Sequence, residues 1–321
     1  LPLGAPEAQG INWNEFLIGC EPIFAKVEEG LALDESVVPP VASFLQPLPG
    51  LAGLRRIAQR MVIKARDEAQ QGAYGRAFDT CLDVVQIGQD TMRGGMLIHH
   101  MLGIAVQAIG VNALCPMLAS APASPDDYAA VVRRLESLEG RLTPFEDTLR
   151  WEWGTIWAGL DEAYRPRWLP APLLMIYGKA GVPWIGGGLG SIPAVLRHNP
   201  TRAVREIHDA FAEAIEQAKK STCYSGLPEA REPSDPAARV AVPPVWRAPL
   251  RHWQNVAYLR GARLVAALAW YKAEQGEYPK NLSALVPGYL KMLPKDPMGG
   301  GDFVYRPGEG PWGFVLYLSL I

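Results

Sequence analysis

The spacing of apolar residues along this chain predicts a protein built mainly from amphipathic helices. From Leu51 to about Gly72, apolar side chains recur at helical spacing with arginines beside them, which is typical of a helix with one buried face. The segment from Gly72 to Gly94 follows the same pattern, with small residues on its apolar side. The two segments therefore predict a helical hairpin, and the sequence shows no second copy at a fixed period that would indicate a repeat array.

Capping signals predict further helices after this hairpin. Ser124 precedes a proline and two aspartates, an order that caps a helix and places negative charge at the positive end of its dipole. Thr143 and Pro144 open the next helix in the same way. The predicted spans are about 95–118, 124–142, 143–164 and 200–221.

The pattern changes in the last part of the chain. A long helix with a largely apolar surface is predicted from Trp246 to Gln275, and aromatic and β-branched residues at 303–305 and 312–318 then predict two short strands. We expect these strands to form a small sheet against the long helix. The predicted fold class is mainly α: a helical-hairpin domain followed by a long helix with a small antiparallel β module (α+β).

Proline clusters divide the chain into four predicted parts. Residues 1–49 indicate an extended Pro-rich arm with at most one short helix, and residues 50–223 a helical domain. Residues 224–245 combine five prolines with several charges, which is the composition of a linker or an exposed loop. Residues 246–321 contain the long helix and the small β-sheet, and are called the terminal module below.

Composition narrows the class of function. The hydrophobic fraction of 49% is enough for a sizeable core, and a net charge of -2 provides no basic field for a nucleic-acid partner. The four cysteines lack the spacing of zinc or haem sites, so no metal or cofactor is expected. Two disulfides in an oxidising compartment and free buried thiols both remain open for Cys20, Cys81, Cys115 and Cys223.

The terminal module carries an ordered set of turn, leucine and aromatic residues. In chain order they are Tyr271, Gly276, Tyr278-Pro279, Leu282, Leu285, Pro287, Tyr289-Leu290, Leu293-Pro294, Asp296-Pro297 and Tyr305. This set resembles the soluble end of the major pseudopilins of type II secretion, and it covers only residues 255–321. The resemblance implies a folded αβ cap in a protein that works in an assembly outside the cytoplasm.

Two departures from that family limit what the resemblance implies. In pseudopilins the helix continues from a hydrophobic spine that polymerises, whereas here more than two hundred residues of predicted helical protein precede it, so a pilus-forming subunit is not expected. The family also has an acidic calcium-binding loop after its strands. Asp296 and Asp302 are too few for the six to eight oxygens that calcium requires, and no metal is assigned.

Polar residues on two apolar helices are the candidates for chemistry. His99 and His100 offer imidazole ligands for a metal or haem, although hydrogen bonding in the core explains them better. Glu146 and Glu152 lie on a tryptophan-rich helix, where paired carboxylates and stacking rings are the parts of a glycosidase. Helical spacing does not bring these carboxylates together, so we expect core packing with a solvated acidic face.

Two apolar stretches are candidates for membrane spans. Residues 94–125 contain polar side chains, and residues 168–196 are broken by prolines and glycines, so a buried helix and a hydrophobic loop are expected instead. The glycine run 186–190 lacks the residues of a phosphate-binding loop. Trp184 and Ile185 beside it indicate a surface that contacts a partner or a membrane periphery.

These observations predict a non-enzymatic, extracytoplasmic structural or interaction protein of an envelope-associated assembly. It would reach the periplasm or cell envelope through a signal or anchor that this chain does not include. The alternatives are an accessory subunit of a larger membrane complex, with or without a cofactor, and a hydrolase that uses the carboxylates of the tryptophan-rich helix. Protein partners are expected, with contacts at Trp184, Ile185, Tyr278, Tyr289 and Trp312; no catalytic, cofactor-binding or metal-binding residue is assigned.

Overall fold

The computed structural model of this protein describes residues 13–33, 36–39, 50–164, 199–224 and 233–318. Within these residues the fold is mainly helical with one small antiparallel sheet, which confirms the predicted fold class. The helices are α1 (Trp13–Leu31), α2 (Leu51–Gln70), α3 (Tyr74–Met92), α4 (Leu97–Ser120), α5 (Pro125–Gly140), α6 (Phe145–Tyr164), α7 (Pro200–Lys220), α8 (Pro236–Ala241) and α9 (Pro243–Gln275). A short 3-10 helix (Leu282–Leu285) and the strands β1 (Val304–Pro307) and β2 (Phe314–Tyr317) follow.

The predicted hairpin is present as α2 and α3, and α4 packs against α3 at glycine contacts. A Cβ atom on Gly88 would come within 2.5 Å of Cγ of Gln107, and one on Gly103 would meet the backbone oxygen of Gly88. A Cβ atom on Gly110 would lie 2.7 Å from the backbone oxygen of Cys81. Because side chains larger than glycine do not fit here, the backbones of α3 and α4 approach each other directly.

Helix α9 runs through both hydrophobic cores of the protein. Its second half contributes Leu259, Leu264 and Leu268 to the first core, which also contains apolar side chains of α1 to α5 and of the terminal module. Its first half contributes Val245 and Trp246 to the second core, which is formed with α6, α7, α8 and Leu97. One long helix therefore connects two differently composed interiors.

The predicted linker is corrected by the structure over its second half. Residues 236–241 form α8, and α9 already begins at Pro243. Ala238, Val242 and Val245 are buried in the second core. Pro236 and Pro243 each stand at the start of a helix, where the missing N–H of proline costs no hydrogen bond, so they begin helices instead of interrupting them.

The amino-terminal arm is also corrected, because it contains the nineteen-residue helix α1. Leu17, Cys20 and Phe24 form a buried stripe at helical spacing that packs into the first core. The ammonium group of Lys64 on α2 lies 5.1 Å from the centroid of the Phe24 ring, which adds a cation–π contact to this packing. Residues 13–31 of the arm therefore form a packed helix.

The small sheet is a two-stranded hairpin in which Val304 pairs with Tyr317 and Pro307 with Phe314. An isolated hairpin of this size has marginal stability in water, so it depends on its packing against the helices. Leu282, Leu285 and Phe314 provide that packing, since all three are buried in the first core. The terminal module is therefore continuous with the interior of the helical body.

Local turns fix the path between the 3-10 helix and the sheet. Asp296 is fully buried, and its Oδ1 accepts a hydrogen bond of 2.7 Å from the backbone N–H of Met298, as expected for an aspartate that caps a turn. Its backbone N–H donates to the carbonyl oxygen of Gly301 at 2.9 Å. Nearby, the guanidinium of Arg260 on α9 donates to the carbonyl oxygen of Lys295 at 2.9 Å. Hydrogen bonds within the turn and a hydrogen bond from the long helix thus both stabilise this turn.

Candidate functional site

The two tyrosines predicted as partner contacts lie half-buried in the terminal module. The ring of Tyr278 packs edge-on against Phe314, with 4.9 Å between the ring centroids. The ammonium of Lys272 lies 4.6 Å from the centroid of the Tyr278 ring. The ring of Tyr289 lies 5.0 Å from that of Trp270, and its hydroxyl donates to Oε2 of Glu274 at 2.8 Å. Both tyrosines therefore have intramolecular packing partners.

The outer surface of the hairpin presents two other aromatic side chains. Trp312, the third predicted contact in the module, is 38% exposed, and Tyr317 on β2 is 37% exposed. The guanidinium of Arg306 lies 5.5 Å from the centroid of the Tyr317 ring. Large aromatic side chains with a neighbouring arginine are enriched at protein interfaces. We call Trp312 and Tyr317 the hairpin surface.

A charged cluster fixes the module to the helical body. The carboxylate of Glu139 on α5 accepts from Nε of Arg260 at 2.7 Å and lies 3.2 Å from a guanidinium nitrogen of Arg263. All three side chains are largely buried, so this contact is screened less by salt than an exposed pair would be. Because Arg260 also contacts Lys295, the hairpin surface has a defined position relative to α5 and α9.

The adjacent histidines predicted as ligand candidates have separate roles in the structure. Nδ1 of His99 accepts from the backbone N–H of Met96 at 3.2 Å and thereby caps the start of α4. His100 is fully buried, with Nδ1 lying 3.1 Å from Oγ1 of Thr148 and Nε2 lying 3.2 Å from Nδ1 of His252. The three elements α4, α6 and α9 thus meet at a buried row of polar groups, which we call the histidine row.

Burial keeps both rings of the histidine row neutral. Desolvation lowers the pKa of His252 to about 4. Desolvation, and then the neighbouring His252, lower the pKa of His100 well below its ordinary value. Phe145 stacks on His252 with 5.0 Å between ring centroids, which accounts for much of the apolar surrounding. Among the residues described here, no three His, Cys, Asp or Glu side chains cluster in a way that could hold a metal ion.

His252 also borders an open cleft of about 200 Å³ between α6, α7 and α9. Aromatic rings form much of its wall, and the indole Nε1–H of Trp246 is buried without a hydrogen-bond partner among the described residues. Sequence reasoning did not find this cleft or the role of His252, which lies 152 positions from His100. Its wall includes Phe145, Glu146, Tyr224, Trp246, His252 and Trp253.

The carboxylates of the tryptophan-rich helix α6 are not paired across a cleft. Glu146 lines the cleft, whereas Oε2 of Glu152 accepts from the backbone N–H of Leu97 at 2.9 Å. Burial raises the pKa of Glu152, and the hydrogen bond from Leu97 opposes that shift. Trp153 anchors α6 by packing on Phe211 of α7 at 5.6 Å between centroids. The arrangement gives the two carboxylates separate structural surroundings.

Several other predictions concern cysteines, an apolar loop and membrane spans. Cys20, Cys81, Cys115 and Cys223 are free thiols in the structure, and burial raises the pKa of Cys81 and of Cys115 to about 12.

Trp184, Ile185 and the glycine run 186–190 lie outside the described residues. Helix α4 is long and apolar enough to cross a membrane by length and composition, and 44% of its most apolar stretch is buried inside the protein.

Comparison of the chain with protein-family models, curated proteins and solved structures finds no match.

Proposed function

We propose that this protein is a non-enzymatic structural or interaction component of an envelope-associated assembly, and that the hairpin surface docks a protein partner. The observation that carries the proposal is the continuity of the terminal module with the first core through Leu282, Leu285 and Phe314. Such a module presents Trp312 and Tyr317 on a rigid support, which lowers the entropy lost on association. The resemblance of the module to pseudopilins supports the extracytoplasmic location.

Surface substitutions test this role better than removal of the module. Deleting residues 276–321 would strip Leu285 and Phe314 from the first core and expose the apolar face of α9, so loss of assembly would be uninformative. Trp312 and Tyr317 are each more than a third exposed and lie outside the first core, so their truncation removes less packing than the deletion does. Trp157 on α6, which is 52% exposed, offers a matched control for losing a surface tryptophan.

The experiment compares native complexes from gently solubilised cell envelopes. We expect the unmodified protein to migrate well above its 35.0 kDa monomer mass, and the Trp312→Ala/Tyr317→Ala variant to shift towards the monomer. Trp157→Ala should leave the complex unchanged. A monomeric unmodified protein, recovery in the cytoplasmic fraction, or a double variant that assembles normally would each contradict the proposal.

An accessory subunit of a membrane complex is the second candidate, and the apolar composition of α4 is the observation that favours it. In that role, contacts of the protein with membrane-embedded partners would retain it in the envelope. Affinity purification from mildly solubilised membranes separates the two candidates: an accessory subunit co-purifies with integral membrane proteins, whereas a component of a peripheral assembly co-purifies only with proteins that are not embedded in the bilayer.

A further inference from the structure

We infer that the cleft beside His252 binds a small uncharged molecule that combines a ring with a carbonyl or hydroxyl oxygen. This site is independent of the proposed docking role, since it lies between α6, α7 and α9 and not on the terminal module. Four observations carry the inference: an unpaired indole N–H, the polarity of the histidine row, the charge of the wall and the size of the space.

The indole of Trp246 supplies a hydrogen-bond donor that the described residues leave unused. Trp246 is only 7% exposed, and its Nε1 is buried without a partner among them. A buried donor without an acceptor is costly, and most such groups in proteins are paired with protein or with a bound molecule. Other atoms of Trp246 line the cleft, so a small turn of the indole towards the cleft would let the N–H donate to an acceptor oxygen bound there.

The histidine row directs a second donor towards the same space. If the Thr148 hydroxyl donates to Nδ1 of His100, then Nε2 of His100 donates to Nδ1 of His252, and each of these two contacts joins one donor to one acceptor. In the opposite order the hydroxyl hydrogen would have no acceptor among the described residues. His252 therefore carries its own proton on Nε2, the ring nitrogen that His100 does not use, and His252 lines the cleft.

The charge of the wall excludes an anionic ligand. Glu146 lines the cleft, none of the described residues that line it is a lysine or arginine, and burial keeps His252 neutral by lowering its pKa to about 4. A carboxylate or phosphate would lose its hydration here without gaining a counter-ion. The donors of Trp246 and His252 are thus matched to a neutral oxygen.

The shape and size of the cleft favour a single ring. Phe145, Trp253 and Tyr224 present aromatic surface, and aromatic rings stack well against flat ligands. An apolar protein cavity of about 150 Å³ is known to hold benzene. The cleft of about 200 Å³ is therefore large enough for one ring with a polar substituent.

Three probes of similar shape test each element of this inference. Benzamide has the ring and a neutral oxygen, benzoate has the same outline with a negative charge, and toluene lacks the acceptor. Ligand-observed NMR on the full chain should rank benzamide first, with benzoate weaker by about tenfold because its charge is desolvated beside Glu146. Benzoate binding as tightly as benzamide, or no benzamide binding up to its solubility limit, would overturn the inference.

Two variants and a control then locate the binding. Trp246→Phe keeps the aromatic surface and removes the N–H, so benzamide binding should weaken by about three- to tenfold while toluene binding is unchanged. Ala218→Leu adds a side chain to the cleft wall from α7 and should abolish binding of both probes. Trp157→Phe, on an exposed position of α6, should alter neither. Unchanged benzamide binding in either cleft variant would contradict the inference.

Discussion

The first and second cores of this protein differ in how tightly they pack and in how their buried polar groups are arranged. In the first, helices approach through Gly88, Gly103 and Gly110, and one large apolar cluster packs around a few buried polar side chains such as Gln89. The second surrounds the histidine row and borders a cleft in which an indole N–H has no partner among the described residues. Close packing maximises apolar contact, whereas buried polar groups and open space cost free energy.

This difference indicates that the two cores have separate roles: the first supports the structure, and the second forms a binding site. The first core holds the helices and the terminal module in a single body, which is the property that the proposed docking role needs. The second core keeps donors away from water, which is the property of a binding site. Gln107 on α4 and Asn255 on α9 mark the boundary, since Nδ2 of Asn255 donates to Oε1 of Gln107 at 2.5 Å in the interior.

The largest predicted effect follows from opening the first core at the terminal module. Leu285 is fully buried, so Leu285→Ala should lower the free energy of unfolding by about 2–5 kcal/mol through lost burial and a residual cavity. Urea denaturation measures this change. Met292→Ala, at a side chain that is 72% exposed in the same module, is the control and should cost less than about 0.5 kcal/mol. Equal effects would show that the module is not part of the core.

Acid should destabilise the second core through its buried histidines. The pKa of His252 is lowered to about 4 in the folded protein, while the unfolded chain binds that proton near pH 6.5. Unfolding therefore takes up a proton in this window, and stability is lost as the pH falls from about 6.5 to 4, by about 3 kcal/mol for this group.

The matched test is the slope of unfolding free energy against pH in His252→Gln. That slope should be smaller than in the unmodified protein between pH 6.5 and 4, because one titrating group has been removed. His208→Gln, which alters an exposed histidine beside Asp209, is the matched control for removing a histidine. Identical slopes in all three proteins would argue against a neutral, buried His252.

The glycine contacts between α3 and α4 offer a smaller but sharper probe of the first core. Gly103→Ala places a methyl group against the backbone of Gly88, which cannot move aside as a side chain can, and should cost about 1–3 kcal/mol. Gly154→Ala in α6 meets nothing within 4 Å and should stabilise the helix by about 0.5–1 kcal/mol. Thermal unfolding of the two variants should therefore shift in opposite directions.

The boundary between the cores should show the smallest net effect. Asn255→Leu alone leaves Gln107 buried with neither amide group paired among the described residues, and should cost about 1–3 kcal/mol. Adding Gln107→Leu removes the unpaired amide groups of Gln107, so the double variant should recover much of the lost free energy of unfolding. A double variant no more stable than Asn255→Leu would show that the polar contact contributes more than its replacement by apolar packing.

Predictions from the sequence succeeded where the interactions are local. The cap at Ser124 is present, with its hydroxyl accepting from the backbone N–H of Asp127 at 3.2 Å, and Asp296 caps its turn. Both depend on residues two or three positions apart. The prediction of a linker was wrong at Pro236 and Pro243, because a proline that begins a helix and a proline in a loop look alike in the local sequence.

The predicted contact residues show the limit of local reasoning at the surface. Tyr278, Tyr289 and Trp312 are all large aromatic residues near turns, and nothing within a few positions distinguishes them. The structure buries part of the first two against Phe314 and Trp270 and leaves Trp312 more open. Burial depends on which elements meet, and that depends on contacts distant along the chain.

Periodicity, capping residues and strand composition were therefore enough to predict α2 to α7, most of α9, the terminal hairpin and the fold class, because those patterns act over a few residues. The chain itself carries no local mark that His100 and His252 should form one row or that Trp246 should face the same cleft. The packing of α4, α6 and α9 brings these groups together. Withdrawal from water then makes the histidines neutral and leaves the indole donor in need of an acceptor.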